Sequence, residues 1–278
     1  AFLHPYGLET AGGLHAMFSR RYYEYWATMV EPWMVNRKGV SGDFGIGRSD
    51  LYARTGDWPR FRGSMLMLTF DDSRPSRMLG EFFRLNMLSL ANVGYLISRD
   101  RLEDPSLELI EEYLGPPWNT LTRREKILAS LIANFRGRDH LFIYRNRDVL
   151  PRFFTPTHLR IQPNARSVLE AIAMTPSHEL NNIVYVDTSR PPPSVDTQKQ
   201  FKPASLRLIR YTSDYLNLAI DGEGPTLLVI TNSFSPFWIC AADGNLLDIF
   251  PANHAFWGMI VPKNVSEVVC AYRSPSSS

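Results

Sequence analysis

The sequence predicts an α+β protein, with an N-terminal mixed α/β portion followed by a C-terminal antiparallel β-sandwich of jelly-roll-like kind. Three observations carry that expectation. Between Leu227 and Arg273, short apolar runs alternate with Ser-Pro, Asp-Gly, Pro-Ala-Asn and Pro-Lys-Asn breaks, the pattern of strands joined by tight turns. Ahead of Pro151, several segments repeat apolar residues at helical steps. Between the two, Thr188 to Pro203 carries Pro191-Pro192-Pro193 with Ser, Gln and Lys and almost nothing apolar, the composition of an exposed linker. The expected division is a mixed α/β domain over 1–150, a connecting strand–helix–strand with the Pro-rich loop over 151–203, and a sandwich over 204–275.

The elements follow in order. Residues 1–12 contain Gly and Pro and read as a loop. From His15, the residues Phe18, Tyr22, Tyr25, Trp26 and Met29 recur at three- and four-residue steps, which predicts a helix ended by Pro32. Its aromatic stripe has two readings, core packing or a face that touches sugar or lipid. Gly39 to Gly63 is irregular. Within it, Gly42-Asp43-Phe44-Gly45-Ile46-Gly47 lacks the preceding strand, the spacing and the Gly-Lys-Ser/Thr ending of a phosphate loop. Met65 to Phe70 predicts a strand closed by Asp71-Asp72, acids suited to turn and cap roles.

Ser76 to Ala91 predicts a helix with Met78, Leu79, Phe82, Phe83 and Leu85 on its buried side, and Val93 to Ser98 a strand. Asp104-Pro105 has the form of a helix start, an acid at the cap and proline at the first helical position. That helix should run to Leu114 and stop at Gly115-Pro116-Pro117. Thr122-Arg123-Arg124-Glu125 is a capping box ahead of Ile127, Leu128, Leu131, Ile132 and Phe135. Leu141 to Arg145 reads as a strand.

After Pro151 come a strand over His158 to Gln162, a helix over Ala165 to Ala173 and a strand over Asn182 to Asp187. Seven strands follow, over Leu206–Tyr211, Tyr215–Ile220, Leu227–Thr231, Phe237–Ala242, Leu246–Phe250, Phe256–Val261 and Val265–Tyr272. Alternation puts Trp238, Cys240 and Ala242 on one face of their strand, and Val268, Cys270 and Tyr272 on one face of the last.

Composition narrows the function classes. The chain has 278 residues, 44% hydrophobic and 21% charged, enough for a substantial core. Lys+Arg 30 against Asp+Glu 28 leaves +2, so no nucleic-acid partner is expected. No apolar run approaches the ~20 residues that span a bilayer. The chain begins at Ala1, which we read as a processed protein or a recombinantly expressed fragment, with any targeting or membrane segment removed. Cys240 and Cys270 allow one disulfide and no multi-cysteine zinc site. Either two buried free thiols or a bridge between strands fits, the bridge requiring an oxidising compartment.

No catalytic residue emerges. The histidines His4, His15, His140, His158, His178 and His254 form no H-x-x-x-H or H-E-x-x-H cluster, so no metal or other cofactor is expected. A G-x-S-x-G nucleophile motif is absent. A glycosidase would need two positioned carboxylates; Glu24, Asp43, Asp71, Asp243 and Asp248 are candidates, each with a surface or turn role as the simpler reading. His254, in Asn253-His254-Ala255-Phe256, stands where a turn enters an apolar strand, as a structural histidine or a ligand contact.

One resemblance adds to these readings. Phe234-Ser235-Pro236-Phe237-Trp238, Asp243-Gly244, Asn253-His254-Ala255-Phe256-Trp257-Gly258-Met259-Ile260-Val261-Pro262 and Tyr272-Arg273-Ser274-Pro275 follow one another in an ordered pattern. It resembles the C-terminal extracytoplasmic region of YfhO-like polytopic bacterial membrane proteins, which are related to glycosyltransferases of the GT-C type. Phe237 stands where that family has glycine, and neither cysteine is a landmark of it. Further echoes lie in Arg21-Tyr22-Tyr23-Glu24-Tyr25-Trp26, in Leu90-Ala91-Asn92-Val93-Gly94-Tyr95-Leu96-Ile97, and in Tyr144-Arg145-Asn146 with Leu150-Pro151-Arg152.

The resemblance implies the outer domain of a multi-pass membrane protein on the extracytoplasmic face, in the periplasm or at the cell surface. Its partners would be the protein's own transmembrane portion and a glycan or lipid-linked sugar. It would bind or position that ligand, with Tyr22, Tyr25, Trp26, Trp257 and His254 as candidate contacts, and would not be catalytic alone. The alternative is a free-standing carbohydrate-binding or adhesive β-sandwich module, with tryptophans stacking on sugar rings.

Overall fold

A computed structural model describes residues 19–32, 76–98, 101–113, 141–188 and 200–273, together with Thr122 and Arg124. The fold is mostly β, with several antiparallel sheets and few helices. The expected strand over Met65–Phe70, the helix around Ile127–Phe135, the Gly39–Gly63 stretch and most of the Pro-rich loop lie outside the described residues. The chain divides into two compact units. One comprises Ala1–Met17, Pro32–Phe83 and Val93–Val149; the other comprises Phe18–Glu31, Arg84–Asn92 and Leu150–Ser278.

Elements are numbered in chain order: α1 (Arg20–Met29), β1 (Arg77–Met78), α2 (Leu85–Leu90), β2 (Tyr95–Ser98), β3 (Leu102–Glu103), β4 (Leu107–Tyr113) and β5 (Leu141–Asn146). The first unit holds β1 to β5. Its antiparallel sheet has the order β2-β5-β4, and β1 pairs in parallel with β3.

Two expectations change here. Asp104-Pro105 does not start a helix. The Asp104 carbonyl accepts from Leu107 N at 3.0 Å and its carboxylate from Ser106 N at 2.9 Å, so the pair closes a β-turn that leads into β4. Asp followed by Pro suits either role, and pairing of β4 along β5 decides between them. The expected helix over Ser76 to Ala91 is also interrupted. β1 runs into a 3-10 turn (Leu79–Glu81), Arg84 is extended at φ −84° and ψ 100°, and the helix proper begins at Leu85. The boundary between the units falls at that break.

The second unit continues with β6 (Phe153–Phe154), β7 (His158–Gln162), α3 (Ala165–Met174), α4 (Ser177–Leu180) and β8 (Ile183–Asp187). β7 and β8 are parallel, joined through α3 and α4. Asn164 caps α3 by accepting from Ser167 N at 2.9 Å. Val168, Leu169 and Ile172 form its buried stripe, and β8 is buried along its whole length. A parallel strand covered on both faces reads as a continuous apolar run, as Ile183-Val184-Tyr185-Val186 does.

The rest of the unit is β9 (Ser205–Tyr211), β10 (Tyr215–Asp221), β11 (Thr226–Ile230), β12 (Trp238–Ala242), β13 (Asn245–Leu247), β14 (Ile249–Ala252), β15 (Phe256–Val261) and β16 (Glu267–Tyr272). They form a five-stranded sheet, β13-β12-β16-β10-β9, and a four-stranded sheet, β14-β15-β11-β6. Alternate residues of both sheets meet in one core. Leu216, Leu218, Cys240, Val268 and Cys270 come from the first; Leu228, Ile230, Trp257, Met259 and Val261 come from the second. Burying each aliphatic side chain contributes about 1.5–3 kcal/mol.

The single strand expected over Leu246–Phe250 is two. β13 pairs with β12 and β14 with β15, and exposed Asp248 lies where the chain passes from one sheet to the other. Asp243 and Gly244, at φ 44° and 84°, close the β12–β13 hairpin, the expected Asp-Gly role. At Gly258, a Cβ would stand 2.8 Å from Phe250 Cζ and 3.0 Å from Ala252 Cβ, so glycine alone lets β14 and β15 approach there. Cys240 and Cys270, directly opposite across β12 and β16, form a disulfide inside the core. That resolves the choice left open between thiols and a bridge.

Candidate functional site

A polar cluster of the second unit forms where α1, the end of β8 and the turn before β15 meet. Ser19 caps α1, its hydroxyl accepting from Tyr22 N at 3.2 Å. The buried side of α1 is fixed by Tyr25, whose ring packs edge-on to Phe256 at 5.0 Å and whose hydroxyl donates to Met87 O at 2.6 Å. Arg21 and Glu24, three residues apart, are helix-surface neighbours on adjoining turns.

β8 ends on Asp187, a carboxylate only 4% exposed. Burial of that charge requires a partner, and Arg21 Nη1 supplies one at 2.8 Å from Asp187 Oδ2. The third component is the turn at Asn253 and His254, both in the left-handed region at φ 46° and 67°. Asn253 N donates to Tyr185 O at 2.8 Å, and Tyr185 N donates to Asn253 Oδ1 at 2.9 Å. Asn253 thereby fastens the turn to the Tyr185 backbone of β8, satisfying two buried backbone groups.

This anchoring delivers the next residue, His254, which is 1% exposed. Its Nε2 is 2.9 Å from Glu24 Oε2, close but without the alignment of a hydrogen bond. Arg21 Nη1 is 3.5 Å from His254 Nδ1 and 3.5 Å from its carbonyl oxygen. A guanidinium can only donate, so Nδ1 is the acceptor and the ring proton belongs on Nε2, toward Glu24. Burial, and then the Arg21 charge, hold the His254 pKa below 6.5; Glu24 and Asp187 oppose them. The imidazole is therefore neutral at neutral pH. The cluster can fasten α1 to the turn before β15. Among the described residues no three His, Cys, Asp or Glu side chains are grouped to hold a metal.

The residues singled out in the sequence have divergent fates. Tyr25 is core. Trp257, 1% exposed, donates from Nε1 to Ser233 O at 2.9 Å and lies against Trp238 with ring centres 4.6 Å apart. Tyr22 and Trp26 are partly buried and pack edge-on at 5.9 Å; burial pushes the Tyr22 phenol up to about 12. The stripe on α1 thus follows its packing reading at Tyr25 and Met29. Of the carboxylate candidates, Asp243 accepts from Ser266 N, Ser266 Oγ and Glu267 N, a turn role. Asp248 is exposed between β13 and β14, Glu24 joins His254, and Asp43 and Asp71 lie outside the described residues.

Sequence reasoning missed two things. Asp187 and Arg21 were not singled out, although an acid closing an otherwise apolar strand, Ile183 to Val186, was a readable sign of a buried partner. The exposed ring pair was missed as well. Phe237 and Tyr272, 41% and 39% exposed, pack edge-on at 6.1 Å, and Tyr272 rests on Trp238 at 5.6 Å. Their strands are tied on either side. Arg273 N donates to Phe237 O and Tyr272 N to Asp214 O, each at 2.9 Å. The side chains of Asp214 and Arg273 are exposed beside them. Compared with known proteins, the chain matches no family model, no curated protein and no solved structure.

Proposed function

We propose that this chain is the extracytoplasmic domain of a multi-pass membrane protein of glycosyltransferase-like type, and that it binds or positions a glycan or lipid-linked sugar without being catalytic alone. The observation that carries the reading is the ordered resemblance to the YfhO-like proteins between Phe234 and Pro275. Its landmarks are residues with backbone-specific duties: Asp243-Gly244 closes a hairpin, Asn253 pairs with β8, and Gly258 admits the Phe250 ring. The disulfide is compatible with an oxidising compartment. In this reading the two facing sheets are a jelly-roll-like sandwich that follows the mixed α/β portion.

The sugar-facing surface is then the Phe237–Tyr272 pair and not the stripe on α1, because a ring must be exposed to stack on a pyranose. Asp214 and Arg273 supply hydrogen-bonding groups at its rim. The test is a screen of soluble oligosaccharides against the whole chain, Phe237→Ala and Tyr272→Ala. Saturable binding weakened by both substitutions supports the reading, and absence of binding to every sugar refutes it. A free-standing carbohydrate-binding module would use the same rings. A complete reading frame without membrane-spanning segments would select that alternative.

A further inference from the structure

The turn before β15 combines two features that are each unfavourable. Two consecutive non-glycine residues, Asn253 and His254, occupy the left-handed backbone region, which costs L-residues free energy unless their surroundings enforce it. The second of them also buries a titratable ring. The turn is held by the two hydrogen bonds between Asn253 and Tyr185, by the bond from Ala255 N to Asn253 O at 2.8 Å that closes it, and by the polar contacts of His254 with α1. The charged groups facing the imidazole are Arg21 and Glu24 from α1 and Asp187 from β8. Both acids are already engaged, Asp187 by Arg21 at 2.8 Å and Glu24 by Arg20 Nε at 2.7 Å.

We propose that His254 is a proton-operated pin: when neutral it fastens α1 to the 253–254 turn, and its protonation in mildly acidic medium releases α1 and lets the turn relax. A buried imidazolium would face the Arg21 guanidinium with its two nearest anions already shared. Opening the turn hydrates the new charge, removes the repulsion and relieves two left-handed residues together. The direction of the His254 pKa, below 6.5 through burial and Arg21, agrees with this geometry. By linkage, the released fraction grows up to about tenfold per pH unit below about 6.5 and levels off once the docked histidine is itself protonated. The pin stands on the cluster alone and does not depend on the glycan reading.

The test is amide hydrogen exchange on the full chain between about pH 7.5 and about pH 5, corrected for intrinsic exchange, with α1 followed from Tyr23 to Val30. Protection of α1 is expected to be constant above about pH 6.5 and to fall up to about tenfold per unit below it. In His254→Gln it is expected to stay flat over the same range. Protection that is independent of pH in the unsubstituted chain, or an identical fall in His254→Gln, overturns the proposal. Should His254→Gln fail to fold, the imidazole titration followed by nuclear magnetic resonance in the unsubstituted chain decides. A midpoint below 6.5 supports the pin, and one at or above 6.5 overturns it.

Discussion

Replacing Cys240 and Cys270 together by alanine tests how the two-sheet core is stabilised. The cysteines stand 30 residues apart in sequence and directly opposite across β12 and β16. Closing a loop of that length removes about 12 cal/mol/K from the unfolded chain, which is about 3.6 kcal/mol at room temperature. Both side chains are fully buried, so the alanines also forfeit packing around the sulfurs. With a urea slope of about 2 kcal/mol/M, the midpoint should fall by roughly 2 M. Tryptophan fluorescence is a suitable probe, because Trp238 lies on β12 beside the bridge and Trp257 shares its core. Reduction of the unsubstituted chain should produce a comparable loss. Two titratable thiols in the unfolded but unreduced protein, or an unchanged midpoint in the double variant, would refute the reasoning.

Three further substitutions or conditions test the local arguments. Gly258→Ala drives a methyl group into the Phe250 ring and should destabilise by about 2 kcal/mol, with partial recovery in combination with Phe250→Leu; denaturant unfolding of the two variants checks it. Asn253→Ala leaves Tyr185 N unpaired and replaces asparagine, which tolerates φ 46°, by a residue that adopts it less readily, for a loss of about 2–3 kcal/mol. Asn253→Gly relieves only the backbone, so its unfolding midpoint should lie between those of Asn253→Ala and the unsubstituted chain. Because the folded pKa of His254 is depressed, the unfolded chain takes up the proton first. That share of stability is complete above about pH 6.5 and is lost as pH falls toward the folded value. Unfolding curves of His254→Gln should lack this component.

The C-terminal half was legible because its turns carry their chemistry in sequence. Asp243-Gly244 can hardly be anything but a tight turn, and the runs between breaks alternate strictly enough to put each cysteine on one face of its strand, whereas their facing register comes from the pairing of β12 with β16. Where local signals were ambiguous, pairing decided. Asp104-Pro105 serves a helix start and a β-turn equally well, and only β5, more than twenty-five residues further on, makes β4 a strand. The division of Leu246–Phe250 between two sheets has no local signal beyond Asp248. The polar cluster was illegible for a similar reason. Arg21, Glu24, Asp187 and His254 come from three distant segments, and each looks like an ordinary surface or turn residue until β8 and α1 are assembled around the Asn253 turn. The aromatic stripe was ambiguous because a ring that stacks on sugar and a ring that fills a core have the same spacing. Burial separates them: Tyr25 and Trp257 lie inside, Phe237 and Tyr272 outside.

The most direct test of the proposed role is calorimetric titration of the whole chain with soluble oligosaccharides and with the headgroup of a lipid-linked sugar, repeated on Tyr272→Ala. Loss of one stacking ring is worth about 0.5–1.5 kcal/mol, so the account predicts saturable binding that weakens by roughly two- to twelvefold in Tyr272→Ala while the chain remains folded at the titration temperature. Saturable binding unaffected by Tyr272→Ala would contradict the assignment of the exposed ring pair. No binding by the correctly folded chain would contradict the glycan-positioning role itself.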